Sequence, residues 1–168
     1  MMDKELYKQE LWASIRQTAV NLYYLDHFRD RQKIRYPLYR GSLGMVAVLT
    51  ACVSFFDISL LTKAFSVVTG LIAAVPFFFH VIPEPSDFVT MEKLRTALSN
   101  WQNSLENFWF VEWTDKKYEK YRRMKIDHGD VEKELYAMFG KMNVKMEDKS
   151  LREADRYLNK FFTSSPEA

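Results

Sequence analysis

The chain has one cysteine in 168 residues, so Cys52 can make no disulfide within the chain and no multi-cysteine zinc or iron–sulfur site is available. Gly and Pro number only five each, which excludes a collagen-like repeat and a low-complexity linker. Strong charge of one sign is also missing: the net charge of +2 is too small for a nucleic-acid binder, and no DNA binding is expected. There is no Gly-rich phosphate loop, no nucleophile elbow and no HExxH helix. The three histidines, His27, His80 and His128, lie far apart without the spacing of metal ligands. No metal, no cofactor and no catalytic residues are therefore expected from motifs, and the chain reads as non-enzymatic.

Charge is also missing locally. Residues 1–40 carry eight Lys/Arg and five Asp/Glu, and residues 84–168 carry fifteen and sixteen. Residues 41–83 carry only Asp57 and Lys63. A soluble amphipathic helix returns to polar residues at every turn, and this block does not. Ala64 to Pro83 is an uncharged run of 20 residues, about 30 Å as a helix, the thickness of a bilayer's hydrocarbon core. Its eleven strongly apolar residues favour insertion by about 3 to 7 kcal/mol. Gly41 to Phe56 has 16 uncharged residues, slightly short of a span; starting at Tyr36 makes 21, with Arg40 reaching to the headgroups. The alternative is a buried helical hairpin in a soluble protein.

The short connection 57–63 demands antiparallel helices. Arg29, Arg31, Lys33, Arg35 and Arg40 precede the first span, whereas the connection has only Lys63. The positive-inside rule then puts both termini in the cytoplasm. A cleaved signal peptide is not expected, because the apolar run starts some 40 residues in, behind a charged arm. The same basic cluster would meet anionic lipid, at about 1 kcal/mol per charge.

The arms read as helices. Leu11, Ile15, Thr18, Leu22 and Leu25 recur at spacings of four and three. Leu94, Leu98, Trp101, Leu105 and Phe108 do the same, which predicts a helix from Ser86 or Asp87 to about residue 112 and a packing stripe along it. Thr114 or Asp115 would cap another helix to about Lys125, broken at Gly129-Asp130, with short helices near 131–142 and 148–162. The expected fold class is all-α: a membrane protein with two antiparallel transmembrane helices and cytoplasmic helical arms. Its parts are an N-terminal helix over 1–35, a transmembrane hairpin over 36–83 and a helical domain over 84–168.

A few residues stand out within this layout. Ser66, Gly70 and Ala74 form a ridge of small side chains spaced by four, and Ala47 and Ala51 offer a matching pair. Such ridges let helices approach closely, within one hairpin or between subunits. Pro76 can kink the second span, and His80 is an ionisable group near its cytoplasmic end, either a gate element or an interfacial side chain reaching the headgroups. Arg123-Met-Lys-Ile-Asp-His128 resembles the Arg-x4–6-His pattern of HEPN ribonucleases, in which arginine and histidine act on the scissile phosphate. The alternative is a solvated helix end with a basic face.

The whole layout resembles the SLATT family of two-transmembrane effectors in bacterial conflict systems. The resemblance rests on the aromatic helix 21–28, the basic run 29–35 entering the first span, the short hairpin, the stripe Leu94–Phe108 and Trp113-Thr-Asp-Lys116 opening the next helix. It covers roughly residues 5–140. It implies a multi-pass protein of the bacterial inner (cytoplasmic) membrane. That protein would be an antiphage effector that forms a homo-oligomer in lipid and permeabilises or depolarises the membrane. A separate sensor protein or signalling ligand would trigger it. The alternatives are a membrane-anchored ribonuclease using Arg123 and His128, and a passive anchor that recruits a partner through its cytoplasmic helices.

Overall fold

The structure is a computed structural model that describes residues 4–55, 64, 67–68, 85–111 and 114–163. Among the described residues the fold is all-α, with no strand. The helices are α1 (Lys4–Phe55), α2 (Pro85–Trp109), α3 (Asp115–Phe139) and α4 (Val144–Thr163). The chain divides into two compact units. The first joins Met1–Phe28 to Val89–Ala168, and the second is Arg29–Phe88.

In the first unit the two apolar stripes become the core. Leu11, Ile15, Thr18 and Leu25 of α1 are buried, as are Leu94, Leu98, Trp101 and Leu105 of α2, while Phe108 is half-buried. One cluster draws Leu11 and Ile15 from α1, Leu105 from α2, Tyr121 from α3 and Leu158 from α4. Each such aliphatic side chain contributes about 1.5–3 kcal/mol by leaving water. Tyr7 closes one end, edge-on to Tyr118 at 5.4 Å and to Tyr121 at 5.5 Å. The stripe on residues 94–108 therefore packs inside its own chain, and the N-terminal arm belongs to the same unit as the C-terminal helices. Arg16 grips Asp155 with two bonds of 2.8 and 3.1 Å, and Arg95 donates to Asp26 at 2.9 Å. The exposed Arg16–Asp155 pair sets register more than stability.

Helix ends depart from the expected ones. α3 does not break at Gly129-Asp130. Tyr121, His128, Leu135 and Phe139 are all buried along it, so one face stays packed across the glycine. A mid-helix glycine costs only about 1 kcal/mol, which this packing outweighs. The helix ends instead at Gly140, whose φ of +57° suits glycine and whose N–H bonds the Tyr136 carbonyl at 3.1 Å. α4 starts at Val144 rather than near residue 148, because Asn143 caps it. The Asn143 Oδ1 accepts from the Met146 N–H at 3.2 Å, and its own N–H donates to the Tyr24 hydroxyl at 2.9 Å. α2 likewise ends at Trp109, short of residue 112. A Cβ added at Gly129 meets nothing within 4 Å. Gly129→Ala should thus raise stability by about 0.5–1 kcal/mol in denaturant titrations.

In the second unit, α1 runs on past residue 35 through Pro37 to Phe55, so the expected boundary at 35/36 falls inside a helix. Pro37 lacks an N–H, which leaves the Lys33 carbonyl without its helical donor. The Arg40 guanidinium sits 5.6 Å from the Tyr36 ring centre and donates to the Tyr36 hydroxyl at 3.3 Å. From Gly41 to Cys52 every described side chain except half-buried Val46 is exposed, Met45 by 68% and Val48 by 63%. Among the described residues no helix is long and apolar enough to cross a membrane. The uncharged part of α1, residues 41–55, is about 22 Å long, short of a bilayer core. The second expected span lies outside the described residues except for Ala64, Val67 and Val68, and with it Ser66, Gly70, Ala74, Pro76 and His80.

Candidate functional site

Arg123 and His128 share α3 but not a face. Five residues of helix turn them about 140° apart. Arg123 is exposed and paired with Glu119 at 3.9 Å, one turn back. His128 is 8% exposed, with its ring stacked on Trp101 at 4.8 Å and 20° between planes. Burial pushes its pKa down from 6.5 to about 4, so the imidazole is neutral at pH 7. The chain does not bring these two groups together for phosphate chemistry.

The structure assembles a different constellation around His128. A cavity of about 320 Å3 lies where α1, α2 and α3 meet within the first unit. Glu10, Ser14 and Gln17 face it from α1, Trp101 from α2, and Lys125, His128 and Glu132 from α3. The α3 residues are spaced by three and four, so they line one side of the helix. Lys125 donates to Glu10 at 2.7 Å, and the Ser14 and Tyr121 hydroxyls share a bond of 2.8 Å. Burial is the largest single influence on Lys125 and works against its charge, but the Glu10 carboxylate and the Tyr121 hydroxyl together outweigh it and hold the ammonium above its usual pKa. Burial raises the Tyr121 phenol, and the bond to Ser14 opposes the rise. The Gln17 amide donates to Asn21 at 3.1 Å. His128 Nε2 is buried without a hydrogen-bond partner.

Among the described residues no group of three His, Cys, Asp or Glu side chains is placed to hold a metal ion. The remaining histidine of this unit, His27, bonds Glu153 at 2.9 Å. In the basic cluster Arg31, Lys33, Arg35 and Arg40 are exposed along α1, and Arg29 is half-buried. Ala47 and Ala51 are exposed four residues apart on the same helix. The cavity was not legible in the sequence. Lys125, His128 and Glu132 do show one-face helical spacing, but Glu10 and Ser14 come from more than a hundred residues earlier with no local signal.

The chain matches no known protein family, no curated protein and no solved structure.

Proposed function

We propose that this protein is a membrane-seated helical effector that assembles into oligomers and permeabilises the bilayer when its first unit is triggered. The observation that carries this reading is the second half of α1. Gly41–Cys52 is a helix with no charge, exposed on almost every side that is described. A helix apolar all round belongs in a protein core or in lipid, and the described side chains of this stretch are exposed rather than packed in a core. Ile34, Leu38, Gly41, Met45, Val48 and Cys52 also follow a four-three spacing on the exposed surface, the seam by which helices self-associate. The uncharged run 64–83 would supply the second membrane helix. The basic residues Arg31, Lys33, Arg35 and Arg40 would sit at anionic headgroups on the cytoplasmic side of a bacterial inner membrane. A separate sensor protein or ligand acting on the first unit would supply the trigger. The ribonuclease reading loses its support, because His128 is buried and Arg123 points elsewhere.

The test is partition and mass. The expressed chain should resist carbonate extraction, and the detergent-extracted protein should form a complex of four or more subunits by native mass spectrometry. Val48→Glu should move most of the protein to the soluble fraction, since a central charge opposes insertion by about 2.5–3.5 kcal/mol. The wild-type chain in the soluble fraction as a monomer would reject the reading. So would an intact membrane potential in cells where the complex has assembled and been triggered.

A further inference from the structure

A groove of about 360 Å3 lies between the C-terminal end of α2 and the N-terminal half of α3. Phe108 and Met124 line it, both half-buried and packed against the core cluster that holds Leu105 and Tyr121. Val111, 40% exposed, extends that apolar surface. The lining residues recur at three and four along each helix, over about 10 Å. Lys117 and Lys120 face the groove from α3, and no carboxylate is among the described lining residues. Lys120 is exposed and makes no ion pair or hydrogen bond among the described residues. The Asn107 carboxamide, exposed on the α2 side, likewise makes no hydrogen bond among them. An apolar strip with two cations and a spare amide donor beside it is complementary to a molecule with an apolar tail and one anionic end.

We propose that this groove binds a free medium-chain fatty acid, with its tail along Phe108 and Met124 and its carboxylate met by Lys117, Lys120 and Asn107. Lysine suits the rim of such a groove, because its stem is apolar and only its end is charged. Both ammonium groups meet water, so each ion pair adds little and burial of the tail supplies most of the affinity. A cationic amphiphile is repelled by the same two charges. An acidic helix from a partner fits less well, since about 10 Å of groove seats only two of its turns. The volume suits a small ligand. This inference stands apart from the membrane reading. Every lining residue belongs to the first unit, outside the uncharged stretches that the membrane reading assigns to lipid.

The test is titration of the full chain, carrying 13C-methyl methionine, with octanoate at pH 7.5. The protein is held in phosphatidylcholine nanodiscs, or in plain buffer if it proves soluble, and Met124→Leu assigns the Met124 methyl signal. That signal should shift saturably with octanoate, as a single site. Lys117→Gln/Lys120→Gln should weaken binding about fivefold or more, the summed scale of two exposed ion pairs. Octanamide, with the same tail and no charge, should lose a similar factor. Lys141→Gln, exposed and outside the groove, should leave affinity unchanged. The proposal is overturned if octanoate leaves the Met124 methyl unmoved, or if the double variant binds as well as wild type. Equal binding of octanamide or of octyltrimethylammonium would overturn the choice of an anion. A Met124 shift on adding phosphatidylglycerol to the nanodiscs, with none from octanoate, would assign the groove to a lipid surface and reject the free acid. A shift with Nα-acetylglutamate amide, with none from octanoate, would assign it to a partner's acidic segment and reject the free acid likewise.

Discussion

Leu105→Ala should lower the unfolding free energy of the first unit by about 3–5 kcal/mol. Leu105 is fully buried, and the cluster around it takes side chains from all four helices. Shortening it removes transfer energy and leaves a cavity that rigid neighbours such as Trp101 and Tyr121 cannot close. Denaturant titration followed by tryptophan fluorescence measures the loss, since Trp101 belongs to the same cluster. Leu105→Asp should be worse, placing a charge inside a buried cluster of aliphatic and aromatic side chains. This result also separates two readings of the 94–108 stripe. A surface for recruiting a partner would tolerate Leu105→Ala with normal stability and lose only the partner. A core position loses the fold. A drop of less than about 1 kcal/mol would show that Leu105 is not packed as described.

The second large effect is acid lability. His128 titrates near 6.5 when unfolded and at about 4 when folded, because burial opposes its charge. Its folded pKa is depressed, and the charged form is the protonated one. Between pH 6.5 and 4 the unfolded chain therefore binds the extra proton, and stability falls as pH falls. It is intact above about pH 6.5 and declines by about 3 kcal/mol by pH 4, at 1.36 kcal/mol per pKa unit. Glu10, Lys125 and Glu132 face the same cavity and set the local field. Asp155 acts in a different window. Its bond to Arg16 holds its pKa below the usual aspartate value, so its contribution persists above pH 4 and is lost at more acid pH. His128→Phe should flatten the decline between pH 6.5 and 4 while leaving the more acid phase in place. An unchanged pH profile in that variant would assign the lability to other groups.

Periodicity carried the sequence reading well wherever a helix buries a stripe. Leu11, Ile15 and Leu25, and Leu94, Leu98 and Leu105, are core positions, and their spacing alone marked them. It failed where tertiary packing overrules a local signal. Gly129-Asp130 looks like a stop, yet Leu135 and Phe139 anchor the helix beyond it. Asn143 looks like an ordinary loop residue, yet Tyr24 fixes its backbone and its side chain starts α4. The buried carboxylate of Glu106 was invisible for the same reason. It accepts from Gln102 and from the Tyr157 hydroxyl, each at 2.6 Å, and Tyr157 lies 51 residues away. Glu106→Ala should cost about 2–3 kcal/mol by stranding both donors, measurable in the same titrations.

The first unit is built from the two ends of the chain, with residues 29–88 between them. That has a consequence for the order of events on the ribosome. Leu11 and Ile15 emerge first, but their partner Leu158 is made more than 140 residues later. At 5–20 residues per second the N-terminal helix waits about 7 to 30 seconds for its core. During that interval its apolar stripe is open to chaperones and to the lipid surface, while the whole of 29–88 has already been synthesised. The intervening segment thus commits to its environment before the flanking bundle can close, and nascent-chain truncations ending before α4 should lack the protease resistance of the finished unit.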